Sequence, residues 1–370
     1  MSISTTEAHA AELHRQAIVI DGHSDILVPV TDNKMKLADR VEVPDPATWK
    51  PPMGMFSSTE EQFNFPAHAG YFGPMAQYDV PRFLEGGVTA QVCTIYIEDE
   101  YLDGSLKRGL QMALQLHRAS EHDDRFDVIT SIEDIHRVKR AGACGGILSL
   151  EGCEALGSEV DFLDIYHKLG LRMASLTHCR RNVFADGPQG NDIQTGGLTQ
   201  RGKLAIKRMN QLGVVVDLVH INDVGMWEIL ELTTSPVVLS HSSHTNFPAT
   251  DPERLSPLGM PRPQLVLPRD REKLKALAAN GGVLGIIWFS KEDLHDVVSD
   301  IETAIEVMGP DHVGLGSDLY GLELAPKGLE DIAKVPAITR ALVARGHSDD
   351  VVLKVLGGNY LRVFDQVWRR

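Results

Sequence analysis

Short apolar runs alternate along the chain with longer stretches in which apolar residues recur at helical spacing. Short β-branched runs between helical patterns are typical of parallel α/β folds, in which helices cover the faces of the sheet. Both a closed (β/α)8 TIM barrel and an open doubly wound sheet fit such a pattern. Eight strands are predicted, at residues 17–21, 88–96, 146–150, 171–177, 214–219, 236–240, 283–288 and 313–316.

Helical patterns fill most of the intervals between these runs. Residues 198–212 carry apolar side chains at helical spacing, Thr199 stands where an N-cap is expected, and Gly213 follows the last helical residue. The same reasoning predicts helices at residues 222–232, 271–279 and 329–344.

Two long intervals show weak periodicity. Residues 29–81 are rich in Pro, Met and Phe, and residues 243–268 contain several prolines but few aliphatic side chains. Loops of this length are usually functional, so we expect both to cover the catalytic face of one domain that spans residues 1–370. An oligomer contact is the alternative for the first of them.

Composition and charge narrow the class of protein. A chain of 370 residues suits one barrel with insertions, since such barrels commonly need about 250 residues. The net charge of −15 argues against a nucleic-acid-binding protein and disfavours a polybasic membrane anchor. No apolar run reaches the roughly 18 residues of a membrane span, and the first 16 residues lack the apolar core of a signal peptide.

The cysteines point to the same kind of protein. Cys93, Cys144, Cys153 and Cys179 show no C-x-x-C spacing, and four cysteines in a chain of this length do not indicate a disulfide framework. We therefore expect free thiols, no membrane association and a cytoplasmic location.

Residues suited to metal binding follow six of the eight predicted strands. His23 and Asp25 come after the first strand, and because they are two residues apart in an extended segment they point the same way. In a barrel all carboxyl ends of the strands meet at one rim, where catalytic groups lie. This placement favours the barrel over the open sheet. The seven residues concerned are His23, Asp25, Glu151, His178, His220, His241 and Asp318.

Imidazole nitrogen and carboxylate oxygen are suitable ligands for zinc and similar divalent ions, and one carboxylate can bridge two ions. Two ions that share a hydroxide lower the pKa of water and polarise the bond under attack. Five of the residues divide naturally between two ions, with His23 and Asp25 on one, His220 and His241 on the other, and Glu151 between them. The sequence therefore predicts a binuclear site with two Zn²⁺ per chain, although other divalent ions suit the same ligands.

Several sequence blocks together resemble the membrane (renal) dipeptidase family of the amidohydrolase superfamily. The resemblance covers nearly the whole chain and implies a barrel with a binuclear zinc site that hydrolyses small dipeptides. The blocks occur in the order IDGHSD, DVPRFLEGGVTAQ, LSLEG, LTH, GLTQRGKLAIKRMNQLGVVVDLVH, SPVVLSHSS, GLGSDLYG and LGGNYLRVF.

The resemblance also implies roles for single residues. It assigns the five metal ligands as above and places His178 at the carbonyl oxygen of the scissile bond. It also makes Asp318 the residue that transfers protons and contacts the substrate amine. Arg269 resembles the arginine that receives the substrate carboxylate, and Arg181 is a second candidate because it lies near His178. The segment after His178, with Arg180 and Arg181, departs from the family pattern and leaves the substrate preference open.

We therefore predict a zinc-dependent dipeptidase in which hydroxide between the two metals attacks dipeptides, including L-Xaa-L-Xaa and L-Xaa-D-Xaa. One alternative is an amidohydrolase that acts on a lactam, an N-acyl amino acid or a modified dipeptide. Another is a binding or assembly protein that keeps the metal fold without turnover, but this class is expected to have lost a ligand or the proton-transfer residue. The size of the barrel is also compatible with a homodimer.

Overall fold

In a computed structural model of the protein, parallel strands form a closed ring surrounded by helices. The structure describes residues 3–42, 77–187, 196–242, 268–288, 291–321 and 325–368. The strands are β1 (Val19–Asp21), β2 (Val88–Tyr96), β3 (Phe126–Val128), β4 (Cys144–Glu151), β5 (Leu171–Ser175), β6 (Val215–Asp217), β7 (Val238–Ser242), β8 (Val283–Ile286) and β9 (Val313–Leu315).

Strand β2 closes the ring because it pairs with β1 on one edge and with β4 on the other. The remaining pairs run from β1 through β9, β8, β7, β6 and β5 back to β4. The (β/α)8 barrel is thus confirmed, and the open-sheet alternative is wrong. The ninth strand, β3, was not predicted; it has three residues and pairs only with the first part of β4.

The helices follow the strands as the sequence pattern predicts, with one correction. They are α1 (Ile3–Gln16), α2 (Leu27–Thr31), α3 (Val80–Glu85), α4 (Ser105–His122), α5 (Ile132–Ala141), α6 (Phe162–Lys168), α7 (Gln200–Leu212), α8 (Asp223–Leu232), α9 (Pro268–Ala279), α10 (Leu294–Met308), α11 (Pro336–Ala344), α12 (Asp349–Leu353) and α13 (Asn359–Trp368). None of these described helices has the length and apolar character that a bilayer crossing requires.

Helix α7 shows how the local sequence sets its limits. The Thr199 side chain accepts a hydrogen bond from the Gly202 amide at 3.1 Å, and Gly213 ends the helix with φ 72°, as expected for a glycine at this position. The start at residue 329 of the helix predicted over residues 329–344 is wrong. Helix α11 begins at Pro336, because proline lacks the N–H that an interior helical position needs and suits the first turn.

The interior of the barrel is filled by apolar side chains from early positions in the strands. The C-terminal helix α13 packs against this cluster through Tyr360, Val363 and Phe364, which are fully buried. Burial of each such side chain contributes about 1.5–3 kcal/mol. The apolar filling leaves the carboxyl ends of the strands free for polar groups. The strand residues in the cluster are Ile20, Ala90, Val92, Ile147, Met173, Val215, Val238 and Val283.

Most of the two long loops predicted at residues 29–81 and 243–268 lies outside the described residues. The described part of the first loop continues from α2 to residue 42, and the chain is described again from residue 77, shortly before α3.

Candidate metal centre

The seven strand-end residues singled out above lie together at one end of the barrel. Glu151 is the last residue of β4 and His241 lies within β7, while the others follow their strands by a few residues. Within this group, His23 Nε2 lies 3.6–3.7 Å from carboxylate oxygens of Asp25, Glu151 and Asp318. The barrel therefore brings together side chains that are up to nearly 300 residues apart in sequence.

Glu151 occupies the middle of the cluster, and its two carboxylate oxygens face different partners. Oε2 lies 3.7 Å from His23 Nε2, whereas Oε1 lies 2.9 Å from His220 Nε2 and 3.4 Å from His241 Nε2. The residue is buried, with 3% of its surface exposed. This arrangement suits a carboxylate that bridges two cations.

On one side of Glu151, His23 and Asp25 offer atoms that lack ordinary partners. His23 Nε2 and Asp25 Oδ1 are buried and have no hydrogen-bond partner among the described residues. A buried polar atom without a partner costs free energy, so such atoms usually bind water or an ion. Asp318 lies close enough to form a group of three potential ligands with them.

On the other side, His220 Nε2 lies 3.2 Å from His241 Nε2. Burial lowers the pKa of His241 well below its ordinary value, and the nearby charges of His23 and His220 act in the same direction. A histidine must be neutral to bind a metal, so this environment suits a ligand.

The negative charges of the carboxylates stabilise a positive charge in the cluster. Burial alone would lower the pKa of His23, but the charges of Glu151 and Asp25 outweigh burial and raise it to about 10. A divalent cation would supply the same positive charge and leave His23 neutral. The residues present thus fit two divalent ions, one on each side of Glu151.

Hydrogen bonds to the Nδ1 atoms orient two of the histidines. Thr94 Oγ1 lies 3.3 Å from His23 Nδ1, and Ser240 Oγ lies 3.0 Å from His241 Nδ1. Such partners leave Nε2 available and fix the plane of the ring. Thr94 carried no signal in the sequence.

Two buried aspartates hold the loops that carry the candidate ligands. Asp21 accepts hydrogen bonds from the Ser317 amide at 2.7 Å and from the Tyr78 hydroxyl at 2.9 Å. Ser317 directly precedes Asp318 in the chain. Asp217 Oδ1 accepts from the amides of Val219 and Ser240 at 3.1 and 3.0 Å. Neither aspartate was predicted from the sequence, although each precedes a candidate histidine by two or three residues.

The backbone at His220 and Asp318 is in the left-handed region, with φ of 56° and 59°. Residues other than glycine rarely adopt this backbone conformation, and such strain is concentrated at functional sites. Gly321 adds a steric requirement, because a Cβ there would clash with carboxylate oxygens of Asp318 and Asp25. We infer that the sharp turns after β6 and β9 direct these two side chains to the cluster.

A cavity of about 350 Å³ opens onto the cluster. Asp25, Glu151 and His178 border it, and its size lies within the range of small-molecule sites. The rest of the described wall combines apolar, aromatic and charged residues that the sequence did not predict. They are Val28, Pro29, Lys34, Tyr96, Glu98, Tyr320 and Gly321.

The arginines named from the sequence differ in position. Arg181 binds Asp186, with Nη2 2.8 Å from Oδ2, and its side chain is 63% exposed. Arg180 lies over the ring of Tyr96 in the cavity wall, at 5.9 Å from the centroid. Arg269 belongs to the first turn of α9, but its side chain lies outside the described part of the structure.

Comparison with known proteins adds independent information. A family model described as membrane dipeptidase (peptidase family M19) matches residues 7–369. Dipeptidase aclJ of Aspergillus oryzae is 32% identical over 323 residues, which are 82% of this chain and 72% of that protein. Dipeptidase tcpJ of Claviceps purpurea is 30% identical over 307 residues, or 78% of this chain and 69% of that protein.

Solved structures have the same fold. A metallopeptidase named dipeptidase AC superposes with a TM-score of 0.72 at 22% identity, covering 96% of this chain and 99% of its own. A metallopeptidase from Rhodobacter sphaeroides, liganded with a phosphinate mimic of the dipeptide L-Ala-D-Ala, also gives 0.72 at 22% identity, with 95% and 100% covered.

Proposed function

This chain belongs to the membrane dipeptidase family and is a metal-dependent dipeptidase, and from that premise we propose that it works with two zinc ions. The proposed ligands are His23 and Asp25 for one ion, His220 and His241 for the other, and Glu151 for both. The observation that carries the proposal is the position of Glu151, with one carboxylate oxygen toward each pair of ligands. We propose L-Xaa-L-Xaa and L-Xaa-D-Xaa dipeptides as substrates.

The metal ions, when bound, would lower the pKa of a water molecule and polarise the substrate carbonyl. His178 borders the cavity, and its Nε2 lies 3.9 Å from Glu151 Oε1. From this position it can donate a hydrogen bond to the carbonyl oxygen as negative charge develops there.

Asp318 is the proposed proton carrier. Burial raises its pKa well above the usual range of a carboxyl group; the charge of His23 opposes this rise, and those of Asp25 and Glu151 add to it. A carboxyl group at this position can take up a proton and pass it to the departing amine. Its position beside His23 supports this role.

Removal of the metal is expected to abolish hydrolysis of dipeptides, and two equivalents of Zn²⁺ per chain should restore it. Elemental analysis of the reloaded protein measures the stoichiometry. Full activity with a single bound ion would contradict the two-ion proposal. N-acyl amino acids and lactams provide the control, since a preference for them would indicate another amidohydrolase activity.

We propose Arg269 as the group that binds the substrate carboxylate, because a planar guanidinium pairs with a carboxylate through two hydrogen bonds. Arg269→Met is expected to raise KM for dipeptides by roughly ten- to a hundredfold, as loss of charge-assisted hydrogen bonds worth about 1.5–3 kcal/mol implies. Amidated dipeptides lack the carboxylate and should be affected little.

Lys34→Met and Arg181→Met are the matched comparisons for Arg269→Met. Lys34 lines the cavity, and Arg181 binds Asp186. If one of these variants raises KM for free dipeptides but not for amidated dipeptides, while Arg269→Met raises neither, the carboxylate is bound by that residue instead of by Arg269.

We also propose that the chain forms a homodimer through one face of α4. Leu106, Leu110 and Leu114 are exposed and four residues apart, so they lie along one side of the helix, next to exposed Tyr101 and Leu102. The Leu110→Glu variant is expected to sediment as a monomer, whereas the wild-type protein sediments as a dimer. A monomeric wild-type protein would exclude this assembly.

A further inference from the structure

Cys179 differs from the other cysteines in its surroundings. All four cysteines are free, but Cys93, Cys144 and Cys153 are buried in the apolar core. Cys179 is partly exposed and follows His178 directly in the loop after β5. It is therefore a thiol at the edge of the proposed metal centre.

The sulfur of Cys179 lies among imidazole nitrogens. Its Sγ is 3.9 Å from His178 Nε2, and the rings of His178 and His220 have centroids 4.3 Å apart. The donor atoms of His178, Cys179 and His220 all lie within 4.8 Å of one another. In a tetrahedral site with Zn–S of about 2.3 Å and Zn–N of about 2.05 Å, sulfur and nitrogen are about 3.6 Å apart. The donor atoms of Cys179 and His220, within 4.8 Å of each other, therefore exceed that spacing by about 1.2 Å or less.

His220 belongs both to this group and to the ligands of the second metal ion in the proposed function. The inference below rests on that proposed function. Its Nε2 lies 2.9 Å from Glu151 Oε1 and 3.2 Å from His241 Nε2. These three residues supply three protein ligands, and zinc takes four or five. A fourth protein ligand can therefore bind without excluding water from the ion.

We propose that Cys179 is a thiolate ligand of the ion that His220 and His241 bind. When sulfur binds the ion, the thiol loses its proton to solvent. Thiolate is a soft ligand that favours Zn²⁺ and Cd²⁺, whereas Mn²⁺ prefers oxygen. Cys179 thus makes the second position selective for soft cations, and the first position, with its Asp25 ligand, accepts harder ones.

The cobalt-loaded protein tests this assignment independently of its activity. Thiolate bound to Co²⁺ gives a sulfur-to-metal charge-transfer band in the near ultraviolet, which oxygen and nitrogen ligands do not produce. We expect this band in the wild-type protein and in Cys144→Ala, and its loss in Cys179→Ala. Cys144 is the matched control because it begins β4, at the opposite end of the strand from Glu151.

A second measurement compares affinities for the metals alone. Cys179→Ala is expected to lower the affinity of one site for Cd²⁺ by roughly ten- to a hundredfold, and that for Mn²⁺ much less. A wild-type cobalt protein without the charge-transfer band, a band that persists in Cys179→Ala, or equal losses for both metals would each overturn the inference.

These results separate the inference from the proposed function. If the wild-type protein binds two ions and hydrolyses dipeptides but shows no sulfur band, Cys179 is not a ligand and the two-metal dipeptidase stands. If Glu151 and the histidines hold no second ion, both proposals fail together.

Discussion

Replacing Glu151 with Gln is expected to reduce the bound metal from two equivalents per chain to one or fewer, and to lower kcat/KM by about 10⁴-fold or more, which is about 5.4 kcal/mol. Glutamine has one neutral oxygen where glutamate has two that share a negative charge. It cannot offer an anionic oxygen both to an ion beside His23 and to an ion beside His220 and His241. Elemental analysis after dialysis and dipeptide hydrolysis measure the two effects.

Glu154→Gln is the matched control for this variant. Glu154 lies three residues further along the chain, its side chain is 8% exposed, and it pairs with Arg180 at 3.2 Å instead of with the histidines. We expect this variant to retain both ions. If Glu151→Gln keeps two ions and its activity, Glu151 does not bridge the metals.

Asp318→Asn is expected to keep both metals and to lower kcat by about 10²–10⁴-fold, the usual effect of losing a general acid–base group. Asparagine has the shape of aspartate and tolerates the left-handed backbone at this position, so the local structure should persist. It cannot, however, release and take up the proton that the departing amine requires. Steady-state kinetics and metal content are measured on the same preparation.

Asp25→Asn provides the contrasting result. Asp25 Oδ1 is buried and has no hydrogen-bond partner among the described residues, so we expect its variant to lose metal as well as activity. If Asp318→Asn also loses metal, Asp318 is a ligand of the first ion. The structure is compatible with this outcome, because Asp318 Oδ1 lies only 3.7 Å from His23 Nε2 and both could bind the same ion.

Local patterns predicted most of the fold because the barrel repeats one unit. All eight barrel strands were recognised as apolar runs, and β2 had the same limits in the prediction as in the structure. The errors fall where periodicity is weak. Strand β3 contains Asp127, and two of its three residues are only half-buried, so it lacks the apolar run that marked the other strands. The predicted start at residue 329 lies before a short 3-10 helix, Ile332–Lys334, which precedes Pro336.

The sequence by itself determined the parallel barrel and the set of residues at its rim. A polar residue directly after an apolar run must lie at the carboxyl end of a strand, and closure brings all those ends together. For this reason Glu151, His220 and His241 could be grouped before any contact was known. The family resemblance then suggested roles for Asp318 and His178.

Only the tertiary structure decided how these residues face one another. The two oxygens of Glu151 point in different directions, and the tether from Asp21 to Ser317 joins residues that are 296 positions apart. The closeness of Cys179 to His220 is likewise invisible in the sequence. Periodicity specifies the face and the end of an element, but the direction of a side chain depends on barrel closure and on the left-handed turns after β6 and β9.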